Sequence, residues 1–169
     1  RSGGYTVGVL VQTNFGGILT VNGVTIAKEL ETYSGMLKYD ADGSCMMIVA
    51  TDAPLDARNL ERLAKRAMLG LGRSGGIASN GSGDYVIAFS TASENFVSYS
   101  TEERLEKNSF LRNDLLSPLF AAVIEATEEA IINSLFAAED MKGHDGRERK
   151  AMPIDKVLKI CREHNILEE

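Results

Sequence analysis

Cysteine, histidine and positive charge are all scarce in this chain, and no apolar run reaches membrane-spanning length. The two cysteines, Cys45 and Cys161, are too few for a disulfide framework, and neither has a partner at metal-ligand spacing. The two histidines, His144 and His164, lie in polar surroundings near the C-terminus. A zinc site is therefore not expected. A Ser-His-Asp triad would need one of these histidines, and nothing in the sequence brings either near a nucleophile. The longest apolar stretches fall short of the ~20 residues that cross a bilayer, so no membrane partner is expected. Lys and Arg number 18 against 24 Asp and Glu, a net charge of −6, which argues against a broad nucleic-acid surface. The one basic cluster, Arg147, Arg149 and Lys150, sits among acids and glycine and reads as a solvated loop.

What remains is ordinary globular composition: 169 residues, 44% apolar and 25% charged, enough for one domain with a real core. The chain opens Arg1-Ser2-Gly3-Gly4, without an initiator Met or a signal-peptide pattern, and Tyr5 starts an apolar strand almost at once. That start leads us to expect an upstream segment and a cytoplasmic location.

Residues 5–12, YTVGVLVQ, have the β-branched content of a strand. Asn14-Phe15-Gly16-Gly17 signals a turn, and residues 18–26 are expected to continue as a second strand through the hairpin dipeptide Asn22-Gly23. Residues 31–43 read as an exposed loop or linker. The continuous apolar run CMMIVA (45–50) suits a strand buried on both faces. From Asp56 to about Leu71 the residues Leu60, Leu63, Ala64, Ala67, Met68 and Leu71 fall at helical spacing, with Gly70 and Gly72 ending the helix. A Gly/Ser-rich loop over 72–84 leads into a strand over 85–91, YVIAFST, and residues 92–113 are polar and irregular. Ser117-Pro118 is a helix start, Ser as cap and Pro in the first turn, and that helix is expected to run to about Lys142. Its small, partly polar face would carry Leu119, Val123, Ala126, Ala130, Asn133, Ser134 and Ala137. A last amphipathic helix spans 153–166, with Val157, Ile160 and Cys161 inward. Strands and helices do not alternate regularly, so a sheet-rich α+β architecture is expected rather than a doubly wound one.

Three places carry chemistry. At Asp42-Gly43-Ser44-Cys45 a polar loop feeds straight into a buried strand, with a hydroxyl at the junction. If the Gly43–Ser44 bond is broken, Ser44 becomes a chain terminus whose free α-amine, of ordinary pKa about 7.7–8.0, can serve as the base for its own hydroxyl. That activates a weak nucleophile without histidine. Ser82-Gly83-Asp84 presents a hydroxyl and a carboxylate together just before a strand. Asn14, after the first strand, could point its amide at an oxyanion, although asparagine in a turn commonly serves the backbone.

The ordered set of strings is more specific than any one of them. GSCMMIVATDAPL, then NLERLAKRAMLGLGR, then SNGSGDYVIAFST, resembles the DmpA-type family of L-aminopeptidase/D-esterases and β-peptidyl aminopeptidases. GGYTVGVLVQTNFG resembles the end of that family's α-subunit, and SPLFAAVIEATEEAIINSLFAAEDMKG with the DG and MP turns resembles the end of its β-subunit. The resemblance implies a four-layer αββα sandwich, shared with ornithine acetyltransferases and incomplete in this chain. It implies a precursor that cleaves itself before a Ser or Thr, so that residues 1–43 end an α-subunit and residues 44–169 form a β-subunit. The nucleophile matches Ser44, eight positions before Asp52. The family's Ser-x-Glu pair matches Ser82 and Asp84, the latter one methylene shorter, and its oxyanion-hole Asn in Q-x-N matches Asn14. No cofactor is implied. The implied partners are the missing N-terminal part of the same precursor, further copies in a homo-oligomer (a tetramer), and a peptide or amino-acid amide substrate.

Cys45 is the competing nucleophile, since a thiol is intrinsically more reactive; the register to Asp52 favours Ser44. Two other functions stay open: an acyltransferase of the ornithine-acetyltransferase type, and a non-enzymatic relative that is never processed.

Overall fold

The computed structural model describes residues 4–31, 43–99 and 107–167. Three strands form the sheet that carries the site: β1 (Val7–Asn14), β2 (Ser44–Thr51) and β3 (Tyr85–Ser90), in that spatial order. β1 runs antiparallel to β2, and β3 runs parallel to it. A parallel neighbour needs a crossover, and the helix α2 (Ala57–Arg73) supplies it, capped by the Asp56 carboxylate, which accepts from the Asn59 N–H at 2.8 Å. A second long helix, α3 (Ser117–Phe136), packs against α2 and β1.

The core lies between this sheet and these two helices. Cys45, Met47 and Val49 of β2 are fully buried beneath Leu63, Ala67 and Leu71 of α2 and Leu119, Val123 and Ile131 of α3. Each large side chain so buried stabilises the fold by roughly 1.5–3 kcal/mol. α2 and α3 approach closely at Gly70, where a Cβ would stand 2.6 Å from both the Ile124 carbonyl oxygen and the Thr127 Cβ.

The other face of the sheet has no cover among the described residues. Leu10, Tyr85, Ile87 and Phe89 are 67%, 64%, 55% and 43% exposed there, aligned by register with Met46, Ile48 and Ala50. The chain is α+β, as expected, and the described residues set one helix layer on the three-stranded sheet, two of the four layers that the resemblance implies. β2, expected to be buried on both faces, is fully buried on one only.

Several local expectations are corrected. Residues 18–26 make no second strand. Ile18 and Thr20 donate instead to the Gly75 and Ser74 carbonyls beyond α2, Asn22-Gly23 turns tightly within the single bridge Val21–Val24, and a short helix α1 (Ile26–Glu29) follows. Gly70 and Gly72 do not end α2, which continues to Arg73. α3 stops at Phe136, six residues before Lys142; Met141–Lys142 (β4) instead pairs with Glu148–Arg149 (β5) in a small exposed hairpin. Ser117 is the first helical residue rather than a side-chain cap, and the buried stripe of α3 is Leu119, Val123, Thr127 and Ile131. Asn133 and Ala137 are exposed. Among the described residues of the polar stretch 92–113, Ser93–Asn95 is a short 3₁₀ turn, and a second, Asn113–Leu115, begins where the stretch ends. The loop expected over 31–43 lies mostly outside the described residues.

The last helix, α4 (Ile154–Glu163), forms as expected with Val157, Ile160 and Cys161 inward. It builds a second small core with Ile26, Leu19, Val24 and Phe136. His164 adds a contact from the end of α4, its ring Nε2 meeting the Glu29 carboxylate of α1.

Candidate active site

The four side chains singled out in the sequence come from three separated segments, and the sheet brings them to one end. β1 ends at Asn14 and β2 begins at Ser44, and these two residues are directly opposed in the antiparallel register. Opposed residues share a face, with Cβ atoms about 4.5–5.5 Å apart. β3 starts beside the same end of β2, so the loop before it delivers Ser82, Gly83 and Asp84 to Ser44.

The contacts there are specific. The Gly83 N–H donates to Ser44 Oγ at 2.9 Å. Ser82 Oγ donates to Asp84 Oδ2 at 2.6 Å, and the other carboxylate oxygen, Oδ1, accepts the Cys45 backbone N–H at 2.8 Å. The shorter acid thus reaches both the serine and the backbone directly after Ser44. A serine hydroxyl has one hydrogen, and Asp84 takes that of Ser82. The lone pairs of Ser82 Oγ are left as acceptors. An N–H aimed at Ser44 Oγ favours the ionised form of that hydroxyl. Asn14 is exposed, and no partner among the described residues holds its side-chain amide.

Gly43 makes the junction possible. Its φ of +135° is open mainly to glycine, and a Cβ on it would collide with the Asn14 carbonyl. The bond between residues 43 and 44 therefore lies pressed against the end of β1. Gly83 lies close to the same hydroxyl: a Cβ there would stand 3.4 Å from Ser44 Oγ and 3.3 Å from the Tyr85 ring, a snug contact without the clash found at Gly43.

Cys45 points the other way. Its side chain is fully buried on the helix-covered face, and burial, with a smaller contribution from the Asp84 charge, pushes its thiol up to about 11. At neutral pH it is a protonated core side chain, in the wrong state for attack. Neither histidine joins the site: His144 pairs with Asp145 in the exposed hairpin, and His164 with Glu29. Asp52, which set the count to Ser44, stands at the far end of β2, where its carboxylate accepts the Thr6 N–H at 2.6 Å. Its eight-residue spacing is the length of the strand. The donor that sequence reading missed is the Gly83 N–H. A backbone group leaves no side-chain signal beyond the glycine itself.

A hydroxyl thus heads the middle strand of the sheet, with a glycine junction before it and the loop before β3 beside it. The model for Peptidase family S58 matches residues 1–149, and the chain belongs to that family. The chain is 39% identical over 180 residues to the β-peptidyl aminopeptidase BapA of Sphingosinicella microcystinivorans, covering 96% of this chain and 44% of that protein. Among solved structures it resembles the PH0078 protein of Pyrococcus horikoshii OT3, at TM-score 0.83 and 47% identity over 95% of this chain and 43% of that one. It also resembles the L-aminopeptidase D-Ala-esterase/amidase of Ochrobactrum anthropi, described as a prototype for the serine aminopeptidases and a variant of the N-terminal-nucleophile hydrolase fold. That match has TM-score 0.76 and 25% identity over 99% of this chain and 51% of that one. The chain thus spans under half the length of the curated relative.

Proposed function

We propose that this chain is the C-terminal part of a self-cleaving aminopeptidase or amidase, with Ser44 as the nucleophile freed by cleavage after Gly43. The observation that carries the reading is the meeting of Asn14, Ser44, Ser82 and Asp84 at one sheet end, with Gly83 donating to Ser44 Oγ at 2.9 Å. On this reading residues 1–43 close the α-subunit and residues 44–169 are the β-subunit.

In maturation Ser44 Oγ attacks the Gly43 carbonyl carbon. The hydroxyl proton passes to the Ser44 nitrogen as the C–N bond breaks, leaving an ester and a free amine. Water hydrolyses the ester and leaves a carboxylate on Gly43. In turnover the Ser44 amine takes the Oγ proton while Oγ attacks the acyl carbon of an N-terminal amino-acid amide, ester or short peptide, and Ser82, its own hydrogen held by Asp84, accepts a hydrogen bond from the ammonium that forms. The Asn14 amide donates to the oxyanion, an interaction worth roughly 2.7–4 kcal/mol per donor. The leaving amine, or the alcohol of an ester, receives the proton, and water releases the acid from Ser44. Asp84, fixed by the Cys45 N–H, holds Ser82 in place.

The uncovered face with Leu10, Tyr85, Ile87 and Phe89 is where the upstream part of the precursor adds its sheet and completes the substrate pocket. An apolar patch of this kind on a folded chain marks an interaction surface. The assembled protein is a homo-oligomer. The relatives' names favour hydrolysis over the acyltransferase alternative. Incubation of the purified full-length protein with an aminoacyl p-nitroanilide, with and without an amine acceptor, tests this. Free acid released without acceptor supports hydrolysis; product only with acceptor supports acyl transfer; no product and no chain break supports an unprocessed relative.

A further inference from the structure

The residue just before Asn14 is tied to the helix layer by a hydroxyl pair that the mechanism above does not use. Thr13 projects to the opposite face of β1 and is half-buried, its Oγ1 3.0 Å from Ser134 Oγ of α3. Ser134 Oγ donates its only hydrogen to the Ile131 carbonyl at 2.7 Å. The direction of the pair follows: Thr13 donates, Ser134 accepts, and the chain of bonds ends on the backbone of a fully buried residue of α3. Asn14 has no such tether. It is the exposed last residue of its strand, and among the described residues nothing engages its amide. The backbone from which that amide projects is held on one side by the β1–β2 register and toward the helix layer by the Thr13 hydroxyl.

We infer that Thr13, acting through Ser134, is a positioning residue for the oxyanion donor. The hydroxyl pair holds the last cross-strand pair, Asn14 opposite Ser44, at one twist, so the amide meets the oxygen where charge develops. This rests on the reading of Asn14 as that donor. A displacement of ~1 Å can cost on the order of 10²-fold in rate, so partial loosening by one hydrogen bond is expected to cost about 5–20-fold.

A mutant cycle tests it in the mature full-length protein, with kcat normalised to the cleaved fraction counted by intact mass. Thr13→Val keeps the shape and β-propensity and removes the donor. It is expected to lower kcat for an aminoacyl p-nitroanilide about 5–20-fold with KM nearly unchanged. Thr13→Ser, which keeps the donor, restores kcat. In an Asn14→Ala background, Thr13→Val has no further effect on kcat, although it still lowers the melting temperature. Equal losses in both backgrounds, no loss in either, or a Thr13→Ser protein as impaired as Thr13→Val, overturn the inference. An Asn14→Ala protein with undiminished kcat instead overturns the oxyanion reading, and the inference with it.

Discussion

Asn14 and Ser44 are cross-strand partners: the last residue of β1 faces the first residue of β2 across an antiparallel register of eight pairs. One strand end therefore holds a candidate oxyanion donor and a candidate nucleophile on the same face. The Gly43–Ser44 bond lies against the carbonyl of that same Asn14.

Removing the oxyanion donor is the first consequence to measure. Asn14→Ala is expected to lower kcat about 10²–10³-fold with KM little changed, because the amide acts only on the developing charge. Steady-state kinetics on the cleaved protein check this. A rise in KM at constant kcat would instead make Asn14 a substrate-binding residue.

Asp84 joins Ser82 Oγ to the Cys45 N–H. Asp84→Asn leaves one acceptor oxygen for two donors. The expected outcome is a fall of about 10²-fold or more in kcat, the scale of lost proton-transfer assistance. Ser82→Ala, which removes the acceptor for the Ser44 ammonium and leaves the carboxylate on the Cys45 N–H, is expected to lower kcat by a smaller factor. The ranking reverses if Asp84 is merely a strand-edge residue.

Glycine at 70 sits where α2 meets α3. Alanine is the better helix former by about 1 kcal/mol, yet a Cβ there would stand 2.6 Å from the Ile124 oxygen and the Thr127 Cβ. Overpacking of this kind costs about 1–3 kcal/mol. The sum predicts a destabilised Gly70→Ala in urea unfolding; a stabilised variant would show that the helices part without cost.

Cys45 sets a pH dependence. Its thiol rises from an ordinary 9.0 to about 11 in the folded chain, through burial first and the Asp84 charge second. Below pH 9 both folded and unfolded states keep the proton, so the group contributes no slope. Between about 9 and 11 the unfolded chain ionises and the folded one does not, so stability falls as pH rises. Cys45→Ala should remove that component of alkaline unfolding while keeping self-cleavage. Loss of cleavage in Cys45→Ala, with the fold intact, would move the nucleophile to Cys45.

Much of this site was legible because it is written in order along the chain. A loop running straight into CMMIVA marks the head of a buried strand, and Ser82-Gly83-Asp84 stands just before another. Both places hold in the structure because the parallel register of β2 and β3 sets the two strand heads side by side. What failed was non-local. Residues 18–26 look like a strand by composition, but their donors go to the carbonyls of Ser74 and Gly75 and Ile26 is claimed by the core under α4. Gly70 reads as a stop signal until α3 is known to lie against it. The length of α3 was overestimated because its last apolar residues have no partner to bury them past Phe136.

The most direct test is intact mass with N-terminal sequencing of the purified full-length protein, beside its Ser44→Ala variant. The account predicts that the native protein splits between Gly43 and Ser44, with a new N-terminus reading Ser-Cys-Met-Met, and that Ser44→Ala remains a single uncleaved chain. A native protein that stays whole, a new N-terminus at Cys45, or a Ser44→Ala protein that still splits at this bond would contradict it.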